Sequence, residues 1–403
     1  MSPMDLDLLR ELVVKNDSKI VLLVIDGLGG LPTEETGRTE LEAANTRHLD
    51  RLAADGICGL TVPVGPGITP GSGPGHLALF GYDPIKYQVG RGVLEALGID
   101  FDLRHGDVAA RGNFCTVDKD GLVTDRRAGR ISTETSAALC EGLRGITLPG
   151  VDLFVEPVRE HRFLLVLRGD ALAEGVSDTD PQRLGVPPLP AQPERPEAKE
   201  SARLVNQCIG QARERLDGKH PANMLLLRGV SKWPQLPQMA EVFGLRAAAI
   251  AVYPMYRGLA KLVGMTVLPT GARPEDQVAT LKENWDKFDF FFVHYKTTDS
   301  RGEDGNFDAK VAALEEVDTI VPAIRGLGPD VFMVGGDHST PALLAGHSWH
   351  PVPFVLYSRW CRRDRAEMFD ENQCALGGLG VFPATAALPL ALANARRLTK
   401  FGA

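Results

Sequence analysis

One serine, Ser72, stands between a run of proline and glycine residues and an apolar segment, within residues 69–84. That order of residue types predicts a turn that leads into a helix, with Ser72 at or just before the first helical turn. A hydroxyl placed there faces unpaired backbone N–H groups and the positive end of the helix dipole. Such a position suits a nucleophile that carries a phosphoryl group. The alternative is that Ser72 only caps the helix, since serine is a preferred N-cap residue.

Acidic and histidine residues stand at the ends of several apolar runs that predict buried strands. These candidate ligands are Asp26 after residues 19–25, Asp299 and Glu303 after residues 289–295, Asp337 and His338 after residues 330–334, and His347 and His350 before residues 352–357. Because ligands gather at the carboxyl ends of strands in open α/β sheets, we expect these side chains to meet at one sheet edge. Carboxylate, imidazole and serine oxygen together suit a two-metal phosphoryl-transfer site. Each alone is weak evidence, since Asp26 is also a typical turn residue and Asp337–His338 a typical loop pair.

The elements that position these residues alternate between strand and helix on both sides of a region with a different pattern. The outer pattern, which includes a predicted helix at 198–217 and a predicted strand at 223–228, indicates a doubly wound, mostly parallel α/β sheet. Between the outer parts, residues 111–125 predict a hairpin, and residues 154–168 alternate like antiparallel strands. We therefore predict a discontinuous domain over residues 1–100 and 190–403, interrupted by a smaller α+β domain at residues 101–189.

The composition is that of an ordinary globular protein and argues against several classes of partner. The chain has 403 residues, with 44 Lys and Arg against 52 Asp and Glu, and a formal net charge of −8. This balance argues against nucleic acid or an anionic membrane as the main partner. Six scattered cysteines indicate neither a disulfide framework nor a zinc site, and no apolar run approaches the length of a membrane span. The N-terminus lacks a signal-peptide pattern, so we expect a cytoplasmic location.

Several longer motifs, taken together, resemble those of the alkaline phosphatase superfamily. They are Ile25–Asp–Gly27, Pro70–Gly–Ser72, residues 76–84, residues 336–339, and His347 with Pro351–Val–Pro353. More specifically, the chain resembles the archaeal-type cofactor-independent phosphoglycerate mutases. This resemblance extends through residues 125–130, 160–163, 168–169 and 176–181, and so covers essentially the whole chain.

The resemblance implies an isomerase that interconverts 3-phosphoglycerate and 2-phosphoglycerate, with Ser72 as the nucleophile that accepts the phosphoryl group. It implies two divalent metal ions, manganese first and magnesium, zinc or cobalt as alternatives, and no bisphosphoglycerate cofactor. One metal would be held by Asp26, Ser72, Asp337 and His338, and the other by Asp299, Glu303 and His347. The substrate would be held by Arg126, Arg130, His161, Asp178 and Lys261. Neither the residues nor the resemblance predicts an oligomeric state.

Three places depart from the pattern of that family. Position 303 is Glu where His is usual, which predicts an altered metal ligand, because carboxylate oxygen also binds such ions. Ser72 is followed by Gly–Pro–Gly where Asp–Thr–Ala is common, so no role is assigned to those side chains. His350 stands where Asp is frequent, and we expect His347 to be the ligand and His350 a surface or supporting residue.

Two other functions are consistent with the residues. A metal-dependent phosphohydrolase or another phosphomutase would share the metal site, because a fold does not fix its substrate. The basic cluster at residues 126–130 favours a small carboxylated phosphate ester, with a solvated surface as its alternative. The second rival is an inert binding or regulatory homologue, which Glu303 suggests and the retention of Ser72 argues against.

Overall fold

A computed structural model describes residues 5–402, which fold into two compact units. The first unit comprises the chain up to Gln88 and from Leu236 onward, and the second unit is Val89–Gln235. The second unit is therefore larger at both ends than the predicted insert of residues 101–189. The helix and strand that we predicted near residues 198–217 and 223–228 belong to this second unit, so their assignment to the outer domain was wrong.

The strands are β1 (Ile20–Ile25), β2 (Ile57–Val62), β3 (Val108–Val117), β4 (Val123–Asp125), β5 (Asp152–Arg159), β6 (Arg162–Arg168), β7 (Met224–Ser231), β8 (Ala247–Ile250), β9 (Thr266–Val267), β10 (Phe290–Tyr295), β11 (Val331–Gly335), β12 (Val352–Ser358) and β13 (Gly380–Pro383). The α-helices are α1 (Leu6–Leu12), α2 (Glu40–Ala43), α3 (Arg47–Asp55), α4 (Ser72–Leu79), α5 (Arg91–Gly98), α6 (Thr133–Leu143), α7 (Lys199–Leu216), α8 (Met239–Val242), α9 (Pro254–Leu262), α10 (Pro274–Glu283), α11 (Thr297–Glu303), α12 (Phe307–Asp318), α13 (Val321–Gly326), α14 (Glu371–Ala375) and α15 (Ala387–Asn394). Short 3₁₀ turns lie at Ala128–Arg130, Pro196–Ala198, Trp285–Lys287, Ala342–Leu344 and Ala384–Ala386.

The first unit is built on an eight-stranded sheet with the order β13-β2-β12-β11-β1-β10-β8-β9. β1 pairs in parallel with both β10 and β11, and every residue of these three strands is buried. Only β12 runs antiparallel to its neighbours β11 and β2. Unbroken apolar runs of this kind are typical of parallel strands covered on both faces. The predicted α/β class with a mostly parallel sheet is confirmed.

The second unit contains a five-stranded antiparallel sheet, in which β3 pairs with β4, β6 and β7. α7 buries one face, including Leu204 and Leu216, in the same hydrophobic core as β3 and β6. β7 pairs with β3 from Ala109 to Cys115. A helix followed by a strand is locally the same signal in an α/β and an α+β unit, so pairing rather than pattern assigns α7 and β7.

The segment after α11 is divided into two helices, α12 and α13. Pro322 lies in the first turn of α13 and lacks the N–H that an uninterrupted helix would require. Of the helices in residues 5–402, none is both long and apolar enough to cross a membrane.

We expect alanine to change the free energy of unfolding in opposite directions at two helix glycines of the second unit. Gly210 lies exposed inside α7 with open space where a Cβ would project, so Gly210→Ala should raise the free energy of unfolding by about 0.5–1 kcal/mol. Gly92 lies in α5, where a Cβ would stand 2.2 Å from the carbonyl oxygen of Ala109. Gly92→Ala should lower that free energy by about 1–3 kcal/mol. Urea unfolding measures both, and a shift of the same sign in both variants would contradict this packing.

Candidate active site

Ser72 is the first residue of α4, and its hydroxyl contacts His338. The helix is capped by Gly71 without a side-chain hydrogen bond, whereas Ser72 Oγ lies 3.1 Å from His338 Nε2. The interpretation of Ser72 as a simple N-cap is therefore not supported. One turn further on, His76 Nδ1 lies 2.8 Å from the Ser72 carbonyl oxygen and 3.2 Å from Asp337 Oδ2.

The second glycine of the Gly–Pro–Gly sequence after Ser72, Gly75, has a packing reason. A Cβ on Gly75 would stand 2.1 Å from the carbonyl oxygen of Asp337. Because backbone atoms cannot move aside as a flexible side chain can, α4 approaches the Asp337 segment only with glycine at position 75.

The first ligand cluster comprises Asp26, Asp337 and His338, all fully buried. One potential ligand atom from each lies within 4.8 Å of the others. The sheet explains this proximity, because Val24 of β1 pairs with Gly335 of β11 and both parallel strands end at the same edge. His338 Nε2 lies 3.4 Å from Asp26 Oδ1 and 3.1 Å from Asp337 Oδ2.

The second ligand cluster comprises Asp299, His338 and His347, so it shares His338 with the first. Asp299 lies in α11, just after β10, which pairs with β1 on the side opposite β11. The Thr340 hydroxyl donates to Asp299 Oδ1 at 2.7 Å and lies 2.9 Å from His338 Nδ1. Because its single proton serves Asp299, the Thr340 oxygen accepts from Nδ1, which directs Nε2 of His338 toward the carboxylates.

The two histidines near residue 350 have different surroundings. His347 Nε2 lies 3.5 Å from Asp299 Oδ1 and 3.8 Å from Glu303 Oε1, and its ring stacks on His338. The Glu303 side chain is about half exposed. His350 instead lies 3.0 Å from Ser348 Oγ, and it belongs to neither ligand cluster found in residues 5–402.

Lys296 supplies positive charge between the two clusters, and the sequence did not single it out. Its Nζ lies 3.2 Å from Asp26 Oδ2 and also donates to Asp299 Oδ2. Although burial opposes the charged form, the carboxylate of Asp26 raises the pKa of Lys296 well above its usual value. The only sequence signal was position, because Lys296 follows β10 directly, as Asp26 follows β1.

Buried rings lie beneath the carboxylates and were also missed. His294 Nε2 is 3.1 Å from Asp26 Oδ2, and the His294 ring stacks on Tyr256 with centroids 3.8 Å apart. Burial and the Asp337 charge raise the pKa of Asp26, but Lys296 and His294 outweigh them and bring it to about 2. A histidine within an otherwise apolar strand was the signal for His294.

The donor set of these clusters fits divalent cations. Within residues 5–402, the buried atoms Asp26 Oδ1 and Asp337 Oδ2 accept no hydrogen bond, which is costly for a carboxylate oxygen unless a cation is near. Although burial opposes protonation, Asp337 raises the pKa of His338 to about 9, so this imidazole must release a proton before its Nε2 can bind a metal. Carboxylate and imidazole ligands suit first-row divalent metals.

The substrate residues predicted in the second unit have varied surroundings. Arg126 donates two hydrogen bonds, at 2.8 and 2.7 Å, to the buried carboxylate of Asp180. Asp178 accepts from the Gly229 N–H at 2.7 Å and from Arg228 at 3.3 Å. Arg130 is exposed, with a left-handed φ of 52°.

His161 lies buried within a group of arginines in the second unit. Burial, and then the charges of Arg162, Arg111, Arg127 and Arg130, lower its pKa to about 3. A neutral imidazole surrounded by guanidinium groups is a favourable environment for an anion. Arg111 and Arg162 lie on β3 and β6. They were not predicted as substrate residues, because the sequence pattern around them indicates only sheet strands. Lys261 lies apart from this group along the chain, on α9 of the first unit.

Comparison with known proteins assigns the chain to one family. Residues 53–223 match the family described as 2,3-bisphosphoglycerate-independent phosphoglycerate mutase. Proteins named "Probable 2,3-bisphosphoglycerate-independent phosphoglycerate mutase" from Thermotoga neapolitana and Thermus thermophilus are each 52% identical, with 98% of both chains covered. A protein of the same name from Aquifex aeolicus is 50% identical, covering 99% of this chain and 100% of its own.

Two solved structures have a similar fold. The PH0037 protein from Pyrococcus horikoshii has a TM-score of 0.84 and 28% identity, covering 96% of this chain and all of that one. The cofactor-independent phosphoglycerate mutase from Thermoplasma acidophilum has a TM-score of 0.69 and 31% identity, covering 94% and 100%. With relatives at about half identity over nearly its full length, this chain belongs to the 2,3-bisphosphoglycerate-independent phosphoglycerate mutase family.

Proposed function

We propose that this isomerase moves the phosphoryl group between the two hydroxyls of phosphoglycerate by way of a phosphoserine at Ser72. The observation that carries the proposal is the direction of the Ser72 hydroxyl, which lies 3.1 Å from His338 and makes no bond to its own helix. A serine that serves neither as cap nor as core residue, next to a histidine shared by two groups of candidate metal ligands, is free to react.

Two divalent cations complete the proposed site, with manganese as the expected metal and magnesium, zinc or cobalt as alternatives. One is held by Asp26, Ser72, Asp337 and His338, and the other by Asp299, Glu303 and His347. Bound cations of this kind favour the ionised serine oxygen and offset the charge of the phosphoryl group.

The residues of the chain then carry the transfer. Ser72 Oγ forms a bond to phosphorus as the bond to the substrate oxygen breaks, and glycerate takes the proton that Ser72 gives up. The N–H groups at the start of α4 and the Lys296 ammonium stabilise the negative charge on the phosphoryl oxygens. Transfer to the other hydroxyl of glycerate reverses these steps, so no bisphosphoglycerate is needed.

Glycerate must stay bound while the phosphoryl group is on Ser72, and we assign this role to the residues predicted to hold the substrate. Arg126, Arg130, His161, Asp178 and Lys261 were predicted to hold the substrate, and the surroundings of His161 favour an anion. Arg126 is already engaged with Asp180 and acts through that pair, whereas Arg130 is exposed and has its guanidinium available for a carboxylate. We place the reaction in the cytoplasm, with which the six free cysteines are consistent.

The first prediction tests the nucleophile. Ser72→Ala should lose at least about 10⁴-fold in turnover, because no other group takes its place, while the free energy of unfolding changes by less than about 1 kcal/mol. Ser132→Ala is the matched control, because Ser132 does cap a helix, α6, by accepting from the Thr135 N–H. That variant should lose about 1 kcal/mol of stability and keep its activity. Labelled phosphate trapped on a histidine instead of Ser72 would contradict the mechanism.

The second prediction concerns Glu303. Replacing its carboxylate with imidazole makes one ligand softer, so Glu303→His should bind Zn²⁺ more tightly relative to Mn²⁺ than the unaltered protein does. We expect a change of less than about tenfold, because the side chain is half exposed and only one ligand is exchanged. Asp304→His, one residue away and equally exposed, should leave the ratio unchanged. Equal effects in both variants would show that Glu303 does not bind metal.

The third prediction separates mutase from phosphatase. Arg130→Ala should slow isomerisation roughly 10- to 100-fold, the value of one charge-assisted hydrogen bond of about 1.5–3 kcal/mol. Glycerate held less firmly should escape, so the fraction of turnovers that release free phosphate should rise. Arg213→Ala, an exposed arginine on α7, is the control and should change neither quantity. Normal isomerisation by the Arg130 variant would remove this residue from the substrate site.

A further inference from the structure

Lys310 is a lysine whose side chain is completely buried in the first unit. It lies in α12. Lysine is almost never fully buried unless it is paired, because removing an ammonium group from water is costly. The contacts of Lys310 must therefore compensate for this cost.

The Lys310 ammonium donates two hydrogen bonds to backbone carbonyls and faces one buried carboxylate. Nζ donates to the Gly29 and Thr340 carbonyl oxygens, each at 2.9 Å, and lies 3.8 Å from Glu40 Oε1. The same Glu40 oxygen accepts from the Ala342 N–H at 2.6 Å. Lys310 and Glu40 thus form a buried ion pair that binds mainly to backbone.

These backbone groups belong to the two segments that carry the first ligand cluster. Gly29 lies three residues after Asp26, and Thr340 lies two residues after His338. The Thr340 N–H also donates to the Gly29 carbonyl at 3.0 Å, so the two segments already touch at this point. Lys310 binds them together at that contact.

A third ligand segment, α11, is joined to the helix of Lys310 by a short connection. α12 follows α11, which carries Asp299 and Glu303, after the short connection 304–306. Thr340, held by Lys310 through its carbonyl, uses its hydroxyl to contact Asp299 and His338. One ammonium group therefore connects all three segments that supply the buried acidic ligands.

We propose that Lys310 is a positioning residue for the metal centre, which fixes the Asp26, Asp337–His338 and Asp299 segments relative to one another. The inference rests on the metal ligands of the proposed function. Lys310 contacts no ligand atom itself and acts through the Gly29 and Thr340 carbonyls. Groups that orient metal ligands commonly change metal affinity 10- to 100-fold when they are removed.

The alternative is that Lys310 only stabilises the fold, and Arg397 provides a matched control. Arg397 is also a fully buried cation of the first unit that donates to backbone carbonyls. It donates to the Asn16 and Ser18 carbonyls, at 2.6 and 3.0 Å, just before the start of β1, and it also contacts the Ser18 hydroxyl and the Asp289 carboxylate. Because Asp26 follows the other end of β1, Arg397 tests stability without touching the ligand segments.

The experiment measures Mn²⁺ binding by titration calorimetry and by the electron paramagnetic resonance of free Mn²⁺, at a temperature where circular dichroism shows each variant folded. Lys310→Met keeps the side-chain volume but removes the donors, and we expect its Kd for Mn²⁺ to rise 10- to 100-fold. Arg397→Met should stay within about twofold of the unaltered protein. Excess Mn²⁺ should recover turnover of the Lys310 variant, with KM for 3-phosphoglycerate little changed.

Two further variants test whether an unpaired Glu40 or a wrongly assigned metal centre explains the result. Lys310→Met combined with Glu40→Gln removes both buried charges, and it replaces the single variant if an unpaired Glu40 prevents folding. Asp337→Asn removes a proposed ligand and should abolish binding at one site. If Asp337→Asn loses Mn²⁺ while the Lys310 variants bind normally, or if Arg397→Met loses as much affinity as they do, the role of Lys310 is overturned and the metal centre stands. If Asp337→Asn binds Mn²⁺ normally, the metal centre itself is wrong.

Discussion

Three buried carboxylates at one edge of the large sheet set the main constraint on the first unit. Asp26, Asp299 and Asp337 are at most 1% exposed, and the parallel pairing of β1 with β10 and β11 brings them together. Like charges in a poorly solvated site repel strongly, and each also loses its hydration. The arrangement is stable only if positive charge is present among them.

The chain supplies part of that positive charge. Lys296 lies against Asp26 and Asp299, and His338 lies against Asp26 and Asp337. The buried rings of Tyr256 and His294 stack on each other next to Asp26. In the proposed transfer, fixed donors and acceptors of this kind would cost no reorganisation as phosphoryl charge develops, which is the basis of electrostatic catalysis.

The sequence predicts the position of residues that directly follow a single buried strand. Asp26 and Asp337 were predictable because a buried parallel strand places the residue after its last apolar position at the ligand-binding edge. Lys296 and Lys310 were not, because a lysine after a strand or inside a helix is by default a surface residue, and only tertiary contacts bury these two. α7 and β7 were placed in the wrong unit for a similar reason: their local pattern is common to both units, and the pairing of β7 with β3 is a long-range fact.

Glutamate at position 303 makes the proposed site one charge unit more negative than histidine would. The exposure of the Glu303 side chain reduces the effect of that charge. Asp26, Asp299, Asp337 and Glu303 carry four negative charges, which two divalent cations would offset, and Lys296 leaves a surplus of positive charge for an anionic phosphate. With histidine at position 303 that surplus would be one unit larger. Because the Glu303 side chain is half exposed, solvent screens its charge far more than that of its buried neighbours. The chain can therefore exchange this one ligand between imidazole and carboxylate at little electrostatic cost, whereas the same exchange at buried Asp337 or His338 would leave an uncompensated charge.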